Sequence, residues 1–255
     1  MLKTSLEKNN THIVNILLQN NADLNIRNAN GNSALINAAA NGYADILQAL
    51  INAGADITLR NNNGSTALIV AAAANNLNIV KKLINAGAFI NAMNHNGTTP
   101  LINAISKNNS GIAQFLIGAG ADVNIQDSLG NTALMYAVTY GYIDIINRLL
   151  EKGAEINARD KEGNTLLIKA VTAGRRSIVE LFLRKGLSVN ERNKDGMTPL
   201  MYATTYGNVE LVRILLKAGA NANLKNNRGF SALELALLKG NKTAAKVIRE
   251  NKIKP

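Results

Sequence analysis

Apolar residues recur along this chain in two alternating registers. In "SALINAAANGYADILQALINAGA" a first run sets Leu35 and Ala38 three positions apart and stops at Gly42. A second run places Ile46, Leu47, Leu50 and Ile51 on one stripe and stops at Gly54. Spacings of three and four bring side chains onto one helical face. The segment therefore predicts two short antiparallel helices, each closed by a residue suited to the left-handed conformation.

The same pattern returns with a fixed period. Glycines stand at Gly31, Gly64, Gly97, Gly130, Gly163, Gly196 and Gly229, each 33 residues after the last. Two positions later comes Ser or Thr in every copy (Ser33, Thr66, Thr99, Thr132, Thr165, Thr198, Ser231), then a Leu column from Leu35 to Leu233 and an Ala column from Ala38 to Ala236. Such a period marks a repeat architecture. Asn-Gly or Asp-Gly precedes several copies, as a tight hairpin turn requires. The Ser/Thr predicts a helix N-cap, and Pro100 and Pro199 fall at the first helical position, where a missing N–H is harmless. The first helix ends at Gly42, Gly141, Gly174, Gly207 or Gly240, with Asn75 and Asn108 substituting in two copies.

These residues resemble the ankyrin-repeat family over nearly the whole chain. The family's T-P-L-H motif appears as Thr99-Pro100-Leu101-Ile102 and Thr198-Pro199-Leu200-Met201. The histidine column is filled instead by Ile36, Ile69, Ile102, Met135, Ile168, Met201 and Glu234, so apolar packing is expected to replace the family's Thr–His hydrogen bond. The resemblance implies an all-α repeat solenoid with short β-hairpin loops and about eight helix-turn-helix units in a single domain, 1–255. The internal repeats are read as 28–60, 61–93, 94–126, 127–159, 160–192 and 193–225, with capping repeats at 1–27 and 226–255. In the first cap Leu2, Ser5, Ile13 and Val14 take the repeat's columns. Gly111 and Gly118 within one second helix mark repeat 94–126 as the softest unit.

Composition adds little to the fold but narrows the chemistry. The chain has 255 residues, no Cys and no Trp, which excludes disulfides and thiolate metal sites. No apolar run suggests a signal peptide or a membrane span. Asparagine is abundant, with 39 residues, a bias read as that of an A+T-rich genome and given little functional weight. The two histidines fall in different columns, and neither a metalloprotease nor a hydrolase motif occurs. No enzyme activity and no cofactor are expected. The Asn-X-Ser/Thr matches ending at Ser65 and Thr98, and the "GNKT" at Gly240, are explained by the repeat itself. A column at Asn25, Asn91, Asn124, Asn157, Asn190 and Asn223 predicts side-chain bonds that tie neighbouring loops.

Function is then sought in columns that packing leaves free. By resemblance, a partner meets the hairpin tips and the exposed side of the first helices, which line a concave groove. In the first repeats these columns are small and polar. Later copies differ: Leu129, Lys161, Lys194, Met197 and Phe230 stand at the tips, and "MYAVTYG" and "MYATTYG" bring Tyr136, Tyr140, Tyr202 and Tyr206 onto first helices, with Lys169 between the pairs. Each tyrosine pair is four residues apart, hence on one face. With helices packed at roughly 8–10 Å, the pairs are expected about 20 Å apart. A basic column four residues before the tip glycine includes Arg159 and Arg192.

Net charge is +11, with 7 Lys/Arg against 6 Asp/Glu in residues 1–128 and 21 against 11 in residues 129–255. The leading expectation is a non-catalytic scaffold, monomeric and intracellular, binding an acidic protein or peptide partner through repeats four to seven. Two alternatives remain at this point. One is electrostatic binding of nucleic acid or an anionic membrane surface by the basic half. The other is a targeting domain of a larger enzyme or effector, suggested by a first residue inside the first helix; a bacterial effector acting in a host cytosol fits that composition.

Overall fold

The computed structural model describes residues 16, 19, 20 and 22–252. The expected roles of Leu2, Ser5, Ile13 and Val14 lie outside the described residues. Contacts gather the chain into two compact units, Met1–Ser128 and Leu129–Pro255. Among the described residues, the first unit holds α1 (Ala34–Asn41), α2 (Ala44–Asn52), α3 (Ala67–Ala73), α4 (Leu77–Asn85), α5 (Pro100–Ser106) and α6 (Ser110–Gly118). The second holds α7 (Ala133–Tyr140), α8 (Ile143–Glu151), α9 (Leu166–Thr172), α10 (Arg176–Arg184), α11 (Pro199–Thr205), α12 (Val209–Lys217), α13 (Ala232–Leu238) and α14 (Lys242–Lys252).

Each unit stacks helix pairs in chain order. In the first, α1 packs on α3 and α3 on α5, each against its own second helix. In the second, α7, α9, α11 and α13 form the corresponding row, backed by α8, α10, α12 and α14. The row in each unit is close-packed because its Ala column (Ala38, Ala71 and Ala104 in the first; Ala137, Ala170, Ala203 and Ala236 in the second) is fully buried and lets backbones approach. The histidine column is buried as well: Ile36, Ile69, Ile102, Met135, Ile168 and Met201 are at most 2% exposed. Burying each such side chain contributes about 1.5–3 kcal/mol.

Helix ends follow the predicted chemistry. All seven Ser/Thr residues accept a hydrogen bond from the backbone N–H three residues on, at 3.2–3.4 Å. Glu234, the one carboxylate in the histidine column, closes a capping box by accepting from Ser231 N–H at 2.6 Å, and the Met201 sulfur accepts from Thr198 N–H at 3.5 Å in the same manner. Asn75 and Asn108 adopt φ of 60°, the left-handed state that glycine takes in the sister copies.

The expected β-hairpins are shorter than anticipated. Among the described residues there is no strand, only an isolated bridge between Lys225 and Ser231. The arms are too short for a ladder, and their polar groups are satisfied otherwise. Gly31 N–H donates to Asn28 O at 2.8 Å, and Asn28 N–H to Asn32 O at 2.9 Å. The Asn28 carboxamide oxygen accepts from the N–H groups of Asn30 and Asn32 as well. Asn61, Asn94, Asp160, Asn193 and Asn226 repeat this arrangement in their own tips.

Asparagine, whose abundance was given little functional weight, thus has a structural task in the tips as well. A short acceptor at this position replaces strand pairing by closing the turn locally. The signal was available, since the third residue before each tip glycine is Asn or Asp in all seven copies. In the column from Asn25, the bonds expected between loops are seen at three positions: Asn25, Asn91 and Asn190 accept from the N–H of Asp56, Asp122 and Asn221 in the following loop.

Candidate partner-binding face

The first helices of the second unit carry the tyrosines. On α7, Tyr136 is half-buried and Tyr140 is 39% exposed. Their rings stack with centroids 6.4 Å apart, and Tyr142 adds a third ring 5.8 Å from Tyr140. On α11, Tyr202 is half-buried, Tyr206 is 62% exposed, and their centroids lie 6.3 Å apart. Four-residue spacing puts each inner ring beneath its outer one, so Tyr140 and Tyr206 stand on aromatic supports. The inner tyrosines occupy a column that packing partly covers; the outer pair does not.

Lys169, on α9, is not a free cation. Its Nζ lies 2.7 Å from Asp160 Oδ2, and that carboxylate is only 5% exposed. Asp160 also accepts from the Asn164 side chain at 2.9 Å. Asn193 then donates through Nδ2 to Asn164 Oδ1 and to the Tyr202 phenol, both at 2.9 Å. Lys169, Asp160, Asn164, Asn193 and Tyr202 therefore form one continuous polar chain, running from a tip through the next tip to a groove tyrosine. Burial pushes the Asp160 carboxyl up, but hydrogen bonds from Lys169 and Asn164 and the Lys169 charge overcome it and hold the group below its ordinary value. Burial likewise pushes the Tyr202 phenol up; the Asn193 bond opposes this, and nearby Asp195, Tyr206 and Asp160 add to it.

The arginine column has a scaffold task. Arg159 donates to Gly163 O at 3.0 Å and to Arg192 O at 3.1 Å, and pairs with Glu191. Arg192 donates to Gly196 O at 3.2 Å and to Lys225 O at 2.8 Å. Arg60 fastens Gly64 and Met93 in the same manner. Each guanidinium thus ties its own tip to the next, using the planar fork that a lysine lacks. Arg159 lines a separate cleft of about 280 Å³ with Ile156, Leu187 and Glu191.

At the tips, Leu129, Lys161 and Lys194 are exposed, and Leu129 is 63% accessible. Met197, Tyr202 and Phe230 come together on one cleft of about 400 Å³. Asp160, Asn193, Leu235 and Leu238 were missed as contributors to this face. For Asp160 and Asn193 the tip column carried the signal. For the leucines, only comparison with the same columns in other repeats could have revealed them. Among the described residues no group of three or more His, Cys, Asp or Glu could hold a metal ion, and no helix is long and apolar enough to cross a membrane.

The stacked pairs, capped first helices and tied tips define a helical repeat protein with a variable face on a constant frame. A family profile described as "Ankyrin repeats (3 copies)" matches residues 2–94, 90–160, 121–193 and 167–255, and the chain belongs to the ankyrin-repeat family. Ankyrin repeats are in general protein-interaction modules and typically non-catalytic. A search of curated proteins found no match.

Proposed function

We propose that this protein is a binding scaffold whose protein partner lies across α7, α9, α11 and α13 and their tips. The observation that carries the reading is the exposure of Tyr140 and Tyr206 on stacked tyrosine supports. The same column elsewhere holds Asn41, Ala74, Lys107, Ala173 and Lys239, so the helix end does not demand an aromatic residue. Two large rigid rings with polar tips suit hot spots, where a few residues dominate affinity. Leu129, Lys161, Lys194, Met197 and Phe230 extend the face, and the surplus of basic side chains favours a partner with acidic character.

The test combines Tyr140→Ala with Tyr206→Ala in quantitative pull-downs beside wild type, with thermal melts of both. The expected result is loss of the retained proteins with an almost unchanged Tm. A large fall in Tm would make the outer tyrosines packing residues and end this reading. Retention of nucleic acid instead of protein, abolished by moderate salt, would point to charge-driven binding by the basic half.

A further inference from the structure

Three columns around the 400 Å³ cleft each carry a large apolar residue in repeat 226–255. The tip column reads Asn32, Ser65, Thr98, Asn131, Asn164, Met197, Phe230. A first-helix column reads Ala40, Ala73, Ser106, Thr139, Thr172, Thr205, Leu238. The column of the inner tyrosines ends in Leu235, after Tyr136, Lys169 and Tyr202. Small or polar residues suffice at the first position in the five copies before Met197 and at the second in all six earlier copies, so the repeat does not require Phe230 or Leu238. Yet Phe230 is 37% and Leu238 67% exposed, a standing cost in solvated apolar area.

The cleft wall is held in place. The Asn226 side chain accepts from Arg228 and Phe230 N–H at 3.0 Å each and donates to the Met197 sulfur at 3.3 Å. The Lys225–Ser231 bridge braces the same tip. Two cations, Arg228 and Lys239, stand on the rim, and neither side chain has an ion-pair partner among the described residues. Asp195 is the one carboxylate among the residues lining the cleft.

From this we infer that the cleft receives an acidic amphipathic segment of the partner. One or two large apolar side chains seat against Met197, Tyr202, Phe230, Leu235 and Leu238, and flanking carboxylates pair with Arg228 and Lys239. The volume exceeds one side chain and falls within the range of small binding pockets, about 300–1,000 Å³. Preorganisation through Asn226 lowers the ordering cost of binding. The inference rests on the proposed partner-binding face and names the chemistry recognised at its terminal end.

The experiment selects displayed random peptides of about twelve residues, roughly 18 Å as a helix, on the full chain. Binding of the selected peptides is then measured to wild type and three variants. Phe230→Asn with Leu238→Thr installs residues that sister repeats carry, so the fold survives; Arg228→Glu with Lys239→Glu reverses the rim; Tyr140→Ala with Tyr206→Ala tests the broader face. The expected selection is rich in Leu or Phe flanked by Asp or Glu, binding both cleft variants at least about tenfold more weakly. Rim reversal should also lessen the salt dependence of association. Failure to select any such peptide, or equal binding to wild type and both cleft variants, overturns the inference. Loss only with the tyrosine variant leaves the broader face standing and removes the cleft; loss only with the cleft variants does the reverse.

Discussion

Lys169 Nζ and Asp160 Oδ2 lie 2.7 Å apart, joining the middle of α9 to the tip that begins its own repeat. This ion pair turns the basic residue between the two tyrosine pairs into a structural element. It also anchors the polar chain that ends at Tyr202.

Lys169→Met should destabilise the second unit by roughly 1–3 kcal/mol, because a buried carboxylate loses its charged partner. Asp160 keeps its bonds from Glu162 and Asn164 N–H, which limits the loss. Urea denaturation of wild type and variant measures it. A change within error would mean that the pair is worth no more than a surface ion pair.

The same carboxylate predicts a pH dependence. Asp160 is held below its ordinary value of 3.8 in the folded chain, so the unfolded state binds the proton first as pH falls. The stabilisation is fully present above the unfolded value and disappears as pH drops through the lower folded value. Asp160→Asn keeps the turn acceptor that Asn193 supplies in its own tip, but cannot titrate. Stability plotted from pH 6 downward should therefore fall less steeply below about 4 in this variant; parallel curves would contradict the assignment.

Tyr202→Phe removes the acceptor for Asn193, which still donates to Asn164. The expected cost is about 0.5–1.5 kcal/mol. Ultraviolet titration should show the variant lacking a tyrosine component of wild type that ionises above 10.0. A difference component that ionises at the ordinary value would place the phenol in open solvent.

Gly130 and Gly153 have nearly the same φ, 78° and 82°, but different surroundings. A Cβ on Gly130 would lie 2.6 Å from Lys161 N and 3.1 Å from Asp160 backbone atoms, whereas one on Gly153 meets nothing within 4 Å. Gly153→Ala should cost about 1–2 kcal/mol, the ordinary left-handed penalty. Gly130→Ala should cost clearly more, since a tied backbone must shift; paired melting curves compare them.

The frame was legible because each of its parts is local. A cap needs one hydroxyl three residues before its target N–H, a helix stop needs one permissive residue, and a 33-residue period repeats both seven times. The tip acceptors were equally local, but an abundance of asparagine hid a column that is uniform in type. The arginines were less legible for a different reason. A basic column suggested a partner, while Arg159 and Arg192 also donate to backbone carbonyls of neighbouring tips, which no residue pattern displays.

Sequence alone determined the repeat, its helix ends and its buried columns, since these depend on contacts within a few residues or at one fixed period. Tertiary structure decided what each free position does. Stacking fastened Arg159 and Arg192 to neighbouring tips and assembled Met197, Phe230, Leu235 and Leu238 around one cleft. Folding within a repeat brought Lys169 against Asp160 and set Tyr140 and Tyr206 on aromatic supports. The first two outcomes rest on distances between repeats, where a side chain's partner is chosen by geometry instead of by its neighbours in the chain.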